Sequence, residues 1–119
     1  MSLLDSTQLA LESAMNGSML RQTLLTNDLA NADTPGFQPQ DVNFQQTLAQ
    51  ALAAGQSPTS VSFTPSTQAQ VVNPNGNGVS TDLTETDIAE NALLYQELTQ
   101  ITAAREGIIQ TAISTTSAP

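Results

Sequence analysis

Apolar residues near both ends of the chain recur at alternating spacings of three and four residues, the pattern of helices that pack through heptad positions. The first predicted helix runs from about Ser6 to Asn31. One heptad register, which begins just before it, contains the apolar residues Leu4, Leu11, Met15, Leu25 and Leu29 and is interrupted by the polar residues Gln8, Ser18 and Gln22. The segment contains Asn16-Gly17, and a glycine inside a helix costs about 1 kcal/mol relative to alanine. Because the register keeps its phase across that dipeptide, we predict one continuous helix, which Asp5 can cap.

The second long segment, from Leu83 to about Ser114, is the longest predicted helix, and Thr81 or Asp82 can cap it. Acidic residues crowd its first turns, where they complement the positive end of the helix dipole. Its apolar positions form two adjoining stripes, which make a wide surface. The first stripe contains Leu94, Leu98, Ile101, Arg105, Ile108 and Ala112, and the second contains Ile88, Ala92, Tyr95, Thr99, Thr102, Ile109 and Ile113.

The width of this apolar surface predicts an assembly. One partner helix covers one stripe and leaves the other in water. Each isoleucine or leucine left exposed forfeits about 1.5–3 kcal/mol of burial, and three of them rival the total stability of so small a domain. We therefore expect a marginal monomer, mostly disordered or loosely helical by itself, whose second stripe is covered by neighbouring subunits. An isolated antiparallel hairpin of the two helices is the simpler alternative.

Between the long helices, the sequence predicts a tight turn and a short helix. Asn31 tolerates the left-handed conformation that closes helices. Proline and glycine occupy the second and third positions of Thr34-Pro35-Gly36-Phe37, the chemistry of a type II turn. A short helix is predicted from Asp41, its cap, to about Ala54, with Gly55 as the stop. Its apolar face contains Phe44, Leu48, Ala51 and Leu52.

Residues 56–79 are rich in Ser, Thr, Pro, Gln, Asn and Gly. Val61-Ser62-Phe63 and Gln70-Val71-Val72 can pair as a small hairpin, but two short strands are marginal by themselves. A flexible linker is the preferred interpretation. The predicted fold is all-α, with two long terminal helices packed as a coiled-coil-like hairpin within an assembly, a short third helix and a flexible middle segment. The predicted divisions are 1–31, 32–55, 56–79 and 80–119.

The amino-acid composition argues against several classes of function. The chain of 119 residues has a formal net charge of −9, with eleven acids against Arg21 and Arg105 and no lysine. Binding to nucleic acid or an anionic membrane needs basic patches, so neither partner is expected. Cysteine and histidine are absent, which excludes disulfides, thiolate chemistry and imidazole catalysis. No nucleophile–base constellation is available, so we expect neither an enzyme nor a cofactor or metal.

Three blocks carry a family resemblance: Arg21-Gln22, the run Asn27-Asp28-Leu29-Ala30-Asn31-Ala32-Asp33-Thr34-Pro35-Gly36-Phe37, and Asp41-Val42-Asn43-Phe44. Together they closely resemble the N-terminal signature of bacterial flagellar rod and hook proteins, and the Asp-Val-x-Phe tail is most like that of the proximal rod. Ala89-Glu90-Asn91, Tyr95-Gln96 and Arg105 are similar to the C-terminal helix of that family. One departure is Asp28, where these proteins usually carry a second asparagine.

The resemblance implies a structural subunit of the flagellar basal-body rod. Such proteins leave through the flagellar type III export apparatus without a cleaved signal and fold on assembly. The implied partners are other rod subunits, the membrane-ring and export-gate base of the flagellum, and copies of the chain itself. The implied turn and assembly motif consists of Leu29, Asn31, Asp33, Thr34, Pro35, Gly36, Phe37 and Phe44. The expected helix-packing residues are Leu11, Met15, Leu25, Leu94, Tyr95, Leu98, Ile101, Arg105, Ile108 and Ile109.

Other interpretations stay open on the sequence. A sibling rod subunit is the nearest alternative, and an acidic helical adaptor or secretion-chaperone-like binding module is the alternative from another class. The adaptor explains the charge and the stripes but not the turn signature. Arg21 and Arg105 are candidates for ion pairs with acids of a neighbouring subunit, although simple surface arginines are nearly as well supported.

Overall fold

The computed structural model describes residues 6–117, so the predicted roles of Leu4 and Asp5 lie outside the described residues. The chain is mostly helical with long helices near both ends, as predicted. In chain order the helices and strands are α1 (Gln8–Ala30), β1 (Gln40–Asp41), α2 (Phe44–Ala53), β2 (Ser66–Thr67) and α3 (Thr81–Ser117), with a single 3-10 turn at Pro58–Ser60.

The two long helices lie antiparallel against each other. Gln8 Nε2 donates to Glu106 Oε1 at 3.3 Å, and Ser18 Oγ donates to Asn91 Oδ1 at 3.1 Å. The described part of the molecule is elongated, measuring 72 × 27 × 14 Å. Its radius of gyration of 18.5 Å exceeds the roughly 13–14 Å of a compact chain of this length. A long helix pair therefore projects from a small core.

Helix α1 is continuous through Gly17, which confirms the prediction from the register. The glycine is buried because α2 crosses α1 at this point and places Phe44 against it. The buried apolar residues extend from this crossing to the segment before α3, and they are Leu25, Val42, Phe44, Leu48, Ala51 and Val79. The core thus sits where α1 meets α2 and the segment that precedes α3.

The type II turn at Thr34–Phe37 is confirmed. Phe37 N–H donates to the Thr34 carbonyl at 3.2 Å, and Gly36 has a φ of 75°. The predicted left-handed conformation of Asn31 is wrong, since its φ is −105° and its ψ is 17°. The chain continues into further turns at this point. The Asn31 side chain instead donates to the Asn27 carbonyl at 2.9 Å, which satisfies one of the last carbonyls of α1.

Two predicted helix caps are also wrong. Asn43 rather than Asp41 caps α2 and accepts from Gln46 N–H at 3.2 Å, because Asp41 belongs to β1. Ser80, not Thr81 or Asp82, caps α3, and its hydroxyl accepts from Leu83 N–H at 3.3 Å.

The end of α2 is as predicted. Gly55 has a φ of 79°, and the next residue, Gln56, donates its N–H to the Ala51 carbonyl at 2.9 Å. These are the features of a Schellman cap, in which glycine takes the left-handed conformation without strain. Of the predicted apolar face of this helix, Phe44, Leu48 and Ala51 are buried, whereas Leu52 is exposed.

The middle segment does not form the hairpin between 61–63 and 70–72. Instead β1 and β2 pair antiparallel, with Gln40 opposite Thr67 and Asp41 opposite Ser66. The chain then returns past the turn. Gly36 N–H donates to the Asn75 carbonyl at 3.0 Å, and Gly78 N–H donates to the Phe37 carbonyl at 2.9 Å. The mobility expected of residues 56–79 stays a prediction, and their path in the structure is held by these bonds.

Candidate assembly surfaces

A buried asparagine fastens the turn motif. Asn77 is only 1% exposed, and its amide nitrogen donates to the Asn31 carbonyl at 2.9 Å and to the Thr34 carbonyl at 2.7 Å. Its side-chain oxygen accepts from Val79 N–H at 2.8 Å. The two bonds to Asn31 and Thr34 join the loop before α3 to the loop after α1, and the bond from Val79 orients the amide. The conformation of the turn is therefore set by a residue more than forty positions away.

Sequence reasoning missed Asn77, because Asn73-Pro74-Asn75-Gly76-Asn77-Gly78 reads as turn chemistry throughout. The turn itself presents a polar exposed rim, formed by Asp33, Thr34, Pro35 and Gly36. Of the other motif residues, Leu29, Asn31 and Phe37 are half-buried and Phe44 is buried. Phe44 is thus a core residue, and its ring meets Phe63 edge-on with centroids 6.3 Å apart.

The contact between α1 and α3 contains a buried polar cluster. Asn91 is 1% exposed; its amide nitrogen donates to the Ser18 carbonyl and to Gln22 Oε1, each at 2.8 Å. The heptad positions that carry polar residues in α1 are therefore inside the helix pair. Hydrogen bonds between such positions fix which residues face each other, as a polar residue in a coiled-coil seam does.

A network of charged side chains joins α1, β1 and α3. The Arg21 guanidinium donates two bonds to the Asp41 carboxylate, at 2.9 and 3.2 Å, and lies 3.7 Å from Asp87. The bonds to Asp41 raise the pKa of Arg21, and burial raises the pKa of Asp87. Arg21 therefore pairs with acids of its own chain, contrary to the candidate pair with a neighbouring subunit.

Asp28 is a buried acid at the end of α1. Its carboxylate accepts from Gln40 N–H at 3.0 Å and so holds the start of β1 against the helix. Burial raises the pKa of this carboxyl, and the bond from Gln40 opposes the shift. An asparagine oxygen could accept the same bond without a buried charge.

The predicted helix-packing residues divide into those that are at least half-buried and those that are exposed. Leu25 is buried. The half-buried residues are Leu11, Met15, Leu94, Tyr95, Leu98, Arg105 and Ile109. Ile101 and Ile108 are 49% and 69% exposed. Within the described chain, these two isoleucines belong to an outer surface, which no helix of the same subunit covers.

An apolar groove opens between α2 and α3 beside this surface. We call it the α2–α3 groove, and its apolar lining consists of Ala14, Phe44, Leu48, Ala49, Leu52, Leu94 and Leu98. Leu52 is exposed at its edge, while Phe44 and Leu48 form its floor. Within residues 6–117, no helix is long and apolar enough to cross a membrane.

Three similar proteins from different bacteria carry the same name. No protein-family model matches the chain. The flagellar basal body rod protein FlgB of Bacillus subtilis is 32% identical over 112 residues, which cover 84% of this chain and 87% of the relative. FlgB of Escherichia coli is 32% identical over 117 residues, covering 79% and 85% of the two chains. FlgB of Yersinia enterocolitica is 33% identical over 105 residues, covering 71% and 77%.

Proposed function

The chain belongs to the FlgB family of flagellar basal body rod proteins, and on that premise we propose that α1 and α3 pack as a coiled-coil-like hairpin in the core of the proximal rod. The family membership makes the protein a structural subunit of the basal body rod. The proposal concerns how its two helices build the rod and which surfaces meet its neighbours.

The observation that carries this proposal is the exposed apolar surface of α3. Ile101 and Ile108 lie seven residues apart on one face of the helix and are 49% and 69% exposed. Burying each side chain fully contributes about 1.5–3 kcal/mol. Contacts with neighbouring subunits supply this stabilisation only in the assembled rod, so assembly and folding should be coupled.

The composition of the α1–α3 contact supports the same coupling. Ser18 and Asn91 are buried there, and neither of them brings the apolar area of a leucine. Hydrogen bonds inside a protein replace bonds to water and contribute only about 0.5–1.5 kcal/mol each. The helix pair alone is thus specific in register but weak in stability. A subunit that is exported unfolded, without a cleaved signal, and then folds among its partners would have this balance.

The proposed partners are other rod subunits, the membrane-ring and export-gate base, and copies of the chain. The turn at 33–36 lies at the end of α1 and exposes its polar rim, so it is the proposed contact for subunits stacked along the rod axis. The apolar face of α3 is the proposed contact across the rod core.

Complementation tests the proposal directly. In a host whose own copy of this gene is deleted, the wild-type chain should restore swimming, and Ile101→Asp or Ile108→Asp should abolish it. Val72→Asp is the matched control, because Val72 is also exposed and apolar but lies in the loop before α3. Normal swimming with both isoleucine variants would refute the role of this face.

Two further measurements separate the alternatives. The protein should copurify with detergent-extracted basal bodies, and its absence from them would favour the acidic adaptor. Circular dichroism of the dilute monomer should show low or non-cooperative helicity that rises on association. A fully helical monomer with a cooperative, high-temperature transition would contradict assembly-coupled folding.

A further inference from the structure

We propose that the α2–α3 groove receives a helix carrying lysine or arginine from a different protein, not a second copy of this chain. The inference rests on the proposed function and names the chemistry of one neighbour. The apolar lining of the groove, the acids beside it and the positions of the two arginines indicate which kind of helix the groove would bind.

The groove and the face of α3 form one continuous apolar surface. Leu94 and Leu98 line the groove, and Ile101 and Ile108 extend it along α3 at heptad spacing. A helix that docks over this surface meets side chains at the three- and four-residue intervals that helix packing uses. The shape and chemistry therefore suit an amphipathic helix.

Exposed acids lie within the same stripe of α3. Glu90 precedes Leu94 by four residues, and Glu97 stands three residues after Leu94 and four before Ile101. Residues at these intervals share one helix face. A helix docked on the leucines and isoleucines must lie beside both carboxylates, so positive side chains at its edges would be favoured and negative ones disfavoured.

A second copy of the chain offers few positive charges for this surface. It has no lysine, and its two cations are Arg21 and Arg105. Arg21 is bound to Asp41 and Asp87 of its own chain. Arg105 is half-buried on α3, one heptad after Leu98. Two copies, each with a formal charge of −9, would in addition repel each other.

Two synthetic helical peptides of identical length test the proposal. Both carry leucine at heptad positions a and d, and their e and g positions are all lysine in one and all glutamate in the other. Binding to the purified full chain is measured by fluorescence anisotropy in trimethylamine oxide, which favours burial and so populates the folded monomer. At 50 mM salt the lysine peptide should bind at least about tenfold more tightly, and at 500 mM salt the ratio should fall to about threefold or less.

Variants of the protein assign the effect to this groove. Glu97→Lys should reduce the ratio of the two affinities by about fivefold or more. Glu85→Lys is the control: it makes the same charge change on the same helix, at an exposed site about 120° around the axis, and should alter the ratio less than twofold. Ile101→Ser should weaken both peptides, whereas Val72→Ser should weaken neither. Equal binding of the two peptides, binding of neither, or equal effects of Glu85→Lys and Glu97→Lys would overturn the proposal.

These results are separable from a failure of the rod function. If Ile101→Asp abolishes swimming while the two peptides bind equally, the role of the α3 face stands and the basic neighbour is wrong. If the lysine peptide is preferred but Ile101→Asp cells swim normally, the groove binds a basic helix and the proposed use of this face in the rod fails.

Discussion

Replacing Gly17 by alanine should destabilise the chain, although alanine in place of a helical glycine normally stabilises by about 1 kcal/mol. A Cβ at position 17 would lie 2.6 Å from Phe44 Cβ and 2.8 Å from Phe44 Cγ. Carbon atoms in contact prefer about 3.5–4.0 Å. Because Phe44 Cβ is fixed next to its own backbone, a change of side-chain rotamer does not relieve the contact, and α2 must move away from α1.

The loss of stability in Gly17→Ala depends on the packing that is disturbed when α2 moves away from α1. Phe44 is 3% exposed, and burying a phenylalanine side chain contributes about 1.5–3 kcal/mol. Overpacking a well-packed site typically costs about 1–3 kcal/mol. After the helix-propensity gain of about 1 kcal/mol is subtracted, a net loss of up to about 2 kcal/mol remains. For a chain of this size the melting temperature should fall by up to about 8 °C.

Gly107→Ala is the matched control. Gly107 also lies inside a long helix, but it is exposed, and a Cβ there would meet no other atom within 4 Å. It should raise stability by up to about 1 kcal/mol. Thermal unfolding is followed by far-UV circular dichroism in trimethylamine oxide, which favours burial and so populates the folded monomer. Similar shifts for both variants, or a rise with Gly17→Ala, would refute the close crossing of α1 and α2.

Three further perturbations test the interactions that hold the turn and the helices. Asn77→Ala removes the buried amide that donates to two turn carbonyls, so it should cost about 2–3 kcal/mol and speed amide hydrogen exchange in residues 31–37. Asp28→Asn should raise the melting temperature at pH 7. The pKa of the Asp28 carboxyl is raised, so the wild-type chain loses stability as the pH rises above the ordinary value of 3.8 and the carboxyl ionises. The gain of the variant over wild type should fade as the pH falls toward 3.8, and Asp33→Asn, at an exposed site, should change the melting temperature less. Arg21→Lys keeps the charge but loses the two-pronged bond to Asp41, and should lower the free energy of unfolding by about 1 kcal/mol at 50 mM salt, and by less at 500 mM.

Each of these expectations has a result that contradicts it. Unchanged exchange in Asn77→Ala would mean that the turn holds its conformation without this clamp. A lower melting temperature for Asp28→Asn at pH 7 would show that the buried charge is favourable, which reverses the assigned effect of burial. Urea midpoints of Arg21→Lys that match wild type at both salt concentrations would show that the paired geometry contributes nothing.

The sequence by itself determined the features that depend on a few neighbouring residues. Heptad spacing placed both long helices and carried α1 through Gly17, because a helix repeats its contacts every three or four residues. Pro35 and Gly36 specified the type II turn through their own backbone preferences. Gly55 ended α2 for the same reason. The absence of lysine fixed the strongly acidic character of the chain without reference to any contact.

Only the tertiary structure decided which polar groups meet across long separations. Asn31 was expected to end α1 in a left-handed conformation, but its side chain bonds the last turn of α1 instead. Asp41 was expected to cap α2, but it belongs to β1 and pairs with Arg21. Asn77 has the same local signals as other loop asparagines, yet it alone is placed beneath the turn. A side chain with several possible hydrogen-bond partners takes those that the path of the chain brings within reach, and spacing along the sequence does not encode that path.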